Sequence, residues 1–68
     1  MPWYFFVAQW PDGRLNEAGT TRLSDHEMAR RYARLIIKEL RQRPGYHDPE
    51  LKMIVKDGNG DAIHIIPF

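Results

Sequence analysis

The chain has 68 residues, of which 43% are hydrophobic and 12% aromatic, and ten Lys and Arg residues nearly balance nine Asp and Glu residues. A chain of this length forms one domain, residues 1–68, which buries only roughly 60% of the surface that the unfolded chain exposes. The net charge of +1 argues against a nucleic-acid partner, and the absence of cysteine excludes disulfides and zinc–thiolate sites.

The first third of the chain predicts a β-hairpin. Residues 3–10 are dense in aromatic and β-branched side chains, and Pro11-Asp12-Gly13-Arg14 forms the turn. Residues 15–23 predict a second strand, shortened or bulged at Gly19. We expect the first strand at the centre of the sheet because it is apolar on both faces. One face carries Trp3, Phe5 and Val7, and the other carries Tyr4, Phe6, Ala8 and Trp10.

The middle of the chain predicts one helix. Ser24-Asp25-His26-Glu27 forms a capping box in which the Ser24 hydroxyl accepts from the Glu27 amide and the Glu27 carboxylate reaches back. Pro44 disfavours helical geometry at Arg43, so the helix should stop near Gln42. The apolar helix positions spread over roughly 200°, which is wider than the usual stripe of about 100°. These positions are Met28, Ala29, Tyr32, Ala33, Leu35, Ile36, Ile37 and Leu40.

The last third predicts a loop over residues 43–50 and a second hairpin. Residues 51–57 alternate, with Leu51, Met53 and Val55 on one face and Lys52 and Lys56 on the other. Asp57-Gly58-Asn59-Gly60 is a hairpin turn, and residues 62–66 form the last strand. Along that strand we expect Ile63 and Ile65 on one face and Ala62 and Ile66 on the other. The predicted fold is α+β: a two-layer β-β-α-β-β sandwich in which one helix covers one face of a four-stranded antiparallel sheet.

Several short motifs along the chain resemble a known family. They are the opening Pro2-Trp3-Tyr4-Phe5-Phe6, the Asp12-Gly13 turn, Gly19, Leu23 with Asp25, the Ala29/Ala33 spacing and the closing Pro67-Phe68. The chain is similar to very short bacterial proteins that are catalogued as a domain of unknown function, open with Pro-x-Tyr-Phe-Phe and end on an apolar strand. It departs from them at Val7, where members often carry a polar or acidic residue, and in its Arg-rich helix. The resemblance spans nearly the whole chain, implies the β-β-α-β-β fold and brings no known activity.

The chain offers no catalytic constellation. Ser24 is the only serine and is assigned to the helix cap, while His26, His47 and His64 fall in a helix start, a loop and a strand. Nucleophilic catalysis needs a histidine within hydrogen-bond reach of the nucleophile, and nothing in the spacing requires that arrangement. We therefore predict a protein that is not an enzyme and assign no catalytic residue.

No metal or cofactor site is predicted either. Residues 57–61 place oxygens at positions 1, 3 and 5 of a calcium loop, but Ala62 and Phe68 stand where that loop needs Gly and Glu. Gly58-x-Gly60 lacks the third glycine and the following helix of a dinucleotide cradle. The histidines are too scattered for a local metal motif. A structural hairpin turn accounts for residues 57–61 without a ligand.

The helix carries a basic stripe, whose members fall within an arc of roughly 100°. These members are Arg30, Arg31, Arg34, Lys38 and Arg41. Such a stripe can lie along phosphates or against an acidic protein partner, but Glu27 interrupts it and can pair with Arg31, so a solvated face is the favoured interpretation. The aromatic first strand invites comparison with RNA-binding sheets. It lacks their glycine–aromatic consensus, and core packing is favoured for at least one of its faces.

From these features we predict a small non-catalytic interaction module that forms a homodimer or binds a protein partner. The apolar surface exceeds what one sheet and one helix can hide, and either the uncovered sheet face or the flank of the helix would supply the contact. The alternative is a nucleic-acid-binding domain that uses the basic stripe. The first ten residues lack a basic signal-peptide start and are too short to span a bilayer, so we expect a cytoplasmic protein without membrane contact.

Overall fold

The structure is a computed structural model that describes residues 1–68, and it contains four strands and one helix in the order β-β-α-β-β. Their bounds are β1 Trp3–Gln9, β2 Leu15–Arg22, α1 His26–Leu40, β3 Lys52–Lys56 and β4 Ala62–Pro67. The strands form one antiparallel sheet in the order β2-β1-β3-β4, and α1 packs on one face. The predicted α+β fold, with β1 at the centre of the sheet, is confirmed.

The core lies between α1 and the two central strands. Alternation along β1 buries Tyr4, Phe6 and Ala8 completely, and the same alternation buries Met53 and Val55 on β3. The helix closes this layer with one side of its surface, which carries Ala29, Ala33, Ile37 and Leu40. Because the whole core is this single layer, the opposite face of the sheet is left without a cover.

A bulge bends β2 close to the predicted position. Phe6 pairs with Gly19 and Val7 pairs with Glu17, so Ala18 is the extra residue, one position before Gly19. A Cβ placed on Gly19 would lie 3.5 Å from Cδ1 of Ile36. The Ile36 side chain of α1 therefore reaches the bulged part of β2.

A second bulge makes the predicted faces of β4 wrong. Val55 pairs with His64 and Lys56 pairs with Ala62, which leaves Ile63 unpaired between them. Ile63 packs against the core, whereas Ile65 pairs with Ile54 and is 63% exposed on the opposite face. A one-residue insertion reverses the direction of every side chain beyond it, so simple alternation fails here.

The prediction that Ser24 caps the helix is wrong, because the N-cap residue is Asp25. Asp25 is extended, with φ −161° and ψ 177°, and its Oδ1 accepts the Met28 N–H at 2.9 Å. Glu27 does not reach back to the chain before the helix, because its carboxylate accepts two hydrogen bonds from Arg30. The cap is therefore a single Asx bond one residue later than the predicted capping box.

The helix ends at Leu40, two residues before the predicted stop near Gln42. The Gln42 N–H donates to the Glu39 carbonyl and the Arg43 N–H donates to the Leu40 carbonyl, so the last turn tightens to three-residue spacing. His47 Nε2–H donates to the Arg41 carbonyl at 2.7 Å. The loop thus satisfies carbonyls that the helix end leaves free.

Candidate interaction surfaces

All three histidines form hydrogen bonds within the fold. The Tyr4 hydroxyl lies 2.9 Å from Nδ1 of His26, and His64 Nε2–H donates to the His26 carbonyl at 2.8 Å. Burial raises the pKa of Tyr4, and the carboxylates of Asp25 and Asp57 raise it further. The fold brings together His26 and His64, which are 38 residues apart, but neither histidine hydrogen-bonds a serine.

In the acidic turn between β3 and β4, the Asp57 carboxylate accepts hydrogen bonds from the turn's own backbone. Asp57 Oδ1 accepts the N–H groups of Asn59 at 2.9 Å and of Asp61 at 3.1 Å, while Gly60 adopts φ +84°. This is the predicted hairpin turn, and it is confirmed. No group of three His, Asp or Glu side chains in the fold is placed to hold a metal ion.

The basic stripe is partly neutralised along its length. Glu27 forms a two-pronged pair with Arg30, with a shortest contact of 2.7 Å, and lies 3.8 Å from Arg31. The Arg30 guanidinium holds the pKa of Glu27 below its ordinary value. Only Arg34, Lys38 and Arg41 of the stripe are without an ion pair.

The uncovered side of the sheet, which we call the open face, has an apolar centre. Strand alternation and register place β1, β3 and β4 side chains there beside one another; they are Trp3, Phe5, Val7, Ile54 and Ile65. Trp3 is 45% exposed and Ile65 is 63% exposed. The same registers surround this centre with four charged side chains, which are Arg22, Lys52, Lys56 and Glu17.

A second exposed apolar surface, which we call the helix flank, consists of Met28, Tyr32 and Leu35. Leu35 is 63% exposed, and the other two are also exposed. Beside them is a groove of about 380 Å³, whose lining also includes Ile36, Lys38 and Glu39. Tyr32 packs against Phe6, and Ile36 lies over Gly19 on β2. The helix flank therefore lies on the β2 side of the molecule.

An aromatic cluster of Trp10, Tyr46 and Phe68 lies at the end of the sheet where β1 ends and β2 begins. The Tyr46 ring lies 5.5 Å from the Trp10 ring and 6.5 Å from the Phe68 ring, and Asn16 Nδ2–H donates to its hydroxyl at 2.7 Å. A groove of about 370 Å³ next to Trp10 is lined largely by proline and polar residues. The cluster anchors the loop before β3 and the C-terminal residue to the sheet.

These features define a single-helix α+β domain with two exposed apolar surfaces, the open face and the helix flank. No family model, curated protein or solved structure matches the chain. The resemblance to short bacterial proteins of unknown function therefore stays a prediction. The one helix, α1, lacks the length and apolar character needed to cross a membrane.

The two faces of β1 could be separated from the sequence, but the charged side chains around the open face could not be predicted. Their positions depend on the register between strands, which pairs Trp3 with Arg22 and Phe5 with Lys56. The signal that was available is the alternation of Lys52 and Lys56 on β3. Once β3 is placed beside β1, these lysines must share a face with either Phe5 or Phe6.

Proposed function

We propose that the chain is a small, non-catalytic, cytoplasmic interaction module that works as a homodimer, with the helix flank and the outer edge of β2 as its interface. The observation that carries this proposal is that the exposed helix flank and the unpaired edge strand β2 lie on the same side of the molecule. An exposed apolar surface and an unpaired strand edge on one side of a domain favour a single partner that buries the first and hydrogen-bonds to the second. A second copy of the chain offers the same two surfaces in return.

The helix flank supplies the apolar part of the proposed interface. Burying a large apolar side chain is worth roughly 1.5–3 kcal/mol, and Leu35 is the most exposed residue of the helix flank. In a two-fold pairing across β2, the helix flank of each copy faces that of the other. The cleft between them shields Leu35, the most exposed apolar group on the helix, from water.

Strand β2 supplies the hydrogen-bonding part. The Leu23 N–H donates to the Pro2 carbonyl, so strand alternation turns the N–H groups of Thr20 and Arg22 away from β1. The strand has eight residues and contains no proline. The other edge strand, β4, is shorter and ends in Pro67. A longer edge without proline pairs more readily with another strand than a short edge that ends in proline, so we expect a second copy to extend β2, along residues 19–22 beyond the bulge.

The charges near the helix flank are self-complementary. Arg31 and Glu39 each lie four residues from Leu35, on opposite sides of it along the helix. A two-fold axis at Leu35 brings Glu39 of one copy towards Arg31 of the other. The apolar patch is small compared with a standard interface, so we expect a dissociation constant in the micromolar range.

The test is the mass of the chain by sedimentation equilibrium between about 1 and 300 µM. Two variants with matched exposure separate the surfaces, because Leu35 and Ile65 are both 63% exposed. We expect Leu35→Lys to be monomeric and Ile65→Lys, on the open face, to keep the wild-type mass. A dimer lost only in Ile65→Lys would move the interface to the open face, and a wild-type monomer at all concentrations would refute the dimer.

A further inference from the structure

The open face carries two aromatic rings in a row. Trp3 and Phe5 are two residues apart on β1, so their side chains emerge on the same face about 7 Å apart along the strand. Trp3 is 45% exposed, although it belongs to a central strand. Arg22 lies over the Trp3 ring, and the part of Trp3 that stays exposed, with the half-buried Phe5 beside it, offers a flat stacking surface.

Cationic side chains border these rings. The Arg22 guanidinium lies 4.8 Å from the centre of the Trp3 ring, and Lys56 stands opposite Phe5 in the register between β1 and β3. Lys52 follows on the same face, opposite Gln9. Glu17 is the only acidic side chain that the strands place on this face. The local charge is therefore positive, although the net charge of the chain is only +1.

Rings interleaved with cations match the chemistry of one kind of partner. A second copy of the open face would bring like charges together, which costs free energy. A nucleic-acid strand offers both complements, since its phosphates pair with cations and its unpaired bases stack on aromatic or guanidinium planes. A duplex keeps its bases stacked internally and cannot use the rings.

We propose that the open face binds single-stranded nucleic acid. Successive bases stack on Trp3 and Phe5, while Arg22, Lys56 and Lys52 contact the phosphates. This site is separate from the basic stripe of the helix, which lies on the other side of the sheet. It does not depend on the proposed dimer, whose interface leaves the open face free.

The experiment measures fluorescence anisotropy of labelled 12-nucleotide oligothymidylate, with a duplex of equal length for comparison. We expect saturable single-strand binding whose logarithmic salt slope is about −2, from three phosphate contacts of about 0.7 each. Trp3→Ala should weaken binding roughly 5- to 100-fold, as expected for the loss of a stacked base. Lys56→Gln should reduce the salt slope by about 0.7.

The matched control removes charge from the helix instead. The double variant Arg34→Gln with Arg41→Gln should bind like the wild type, and equal weakening there would transfer the site to the basic stripe. Circular dichroism checks each fold; if Trp3→Ala is unfolded, Lys56→Gln and Arg22→Gln decide. In a Trp10→Phe background, unlabelled oligothymidylate should quench the emission of Trp3.

Four further results would overturn the proposal. They are no saturation at about 100 µM protein in low salt, affinity unchanged in folded Trp3→Ala, equal affinity for the duplex, and stronger Trp3-dependent binding of an oligoglutamate peptide. The last result would identify an acidic protein partner instead. The Leu35→Lys variant separates this proposal from the dimer, because it should be monomeric and still bind the oligonucleotide.

Discussion

Replacing Asp25 with Ala removes the side chain that caps α1. Its Oδ1 accepts the Met28 N–H at 2.9 Å in an exposed position, so water replaces part of the lost bond and we expect a cost of about 1 kcal/mol. Unfolding entropy of about 2.1 cal/mol/K per residue gives roughly 0.14 kcal/mol/K for a chain of this size. The thermal midpoint should therefore fall by about 7 °C.

Two further variants make the cap prediction specific. Asp25→Asn keeps the acceptor but removes the charge at the helix start, and should cost only the helix-dipole part, about 0.3–1 kcal/mol. Ser24→Ala should stay within about 0.5 kcal/mol of wild type, because Ser24 is exposed and does not cap the helix. Thermal and urea unfolding followed by circular dichroism measure all three. A larger loss in Ser24→Ala than in Asp25→Ala would refute the observed cap.

Two other predictions concern a turn glycine and an ion pair. Gly60→Ala should lower the free energy of unfolding in urea by about 1–2 kcal/mol because Gly60 has φ +84°. Gly19→Ala should leave that free energy unchanged or raise it by up to about 1 kcal/mol. The reverse order would contradict this account. Arg30 lowers the pKa of Glu27 in the folded chain below its ordinary value of 4.5. The ion pair therefore stabilises the folded state at pH values above 4.5, and this contribution is lost as the pH falls below 4.5. Arg30→Gln should show a smaller fall in thermal midpoint between about pH 5 and pH 3 than the wild type, and an unchanged fall would argue against the pair.

The order of elements was predictable because each has a local cause. Alternation in β3, the Asp57–Gly60 turn and the helical period of the middle segment each depend on residues a few positions apart. The cap was missed for a local reason too. Ser24 and Asp25 are adjacent residues of equal capping ability, and only the backbone geometry chooses between them.

The candidate sites were less predictable because they depend on pairing between distant segments. Both faces of β1 are apolar, so alternation alone cannot say whether Phe5 or Phe6 faces the helix. The stack of Arg22 on Trp3 joins residues 19 positions apart and requires the bulge at Ala18, without which β2 would shift by one residue. The bulge at Ile63 turned Ile65 outwards in the same way.

The two proposed surfaces are compatible because the sheet separates them. Pairing β2 with β2 of a second copy around a two-fold axis extends the sheet to eight strands and places both helices on one side. The two open faces then lie together on the other side, and one nucleic-acid strand can cross both. Because such a strand binds the dimer better than the monomer, it shifts the equilibrium towards the dimer by mass action. In this arrangement a domain with a single thin core doubles its binding surface through association.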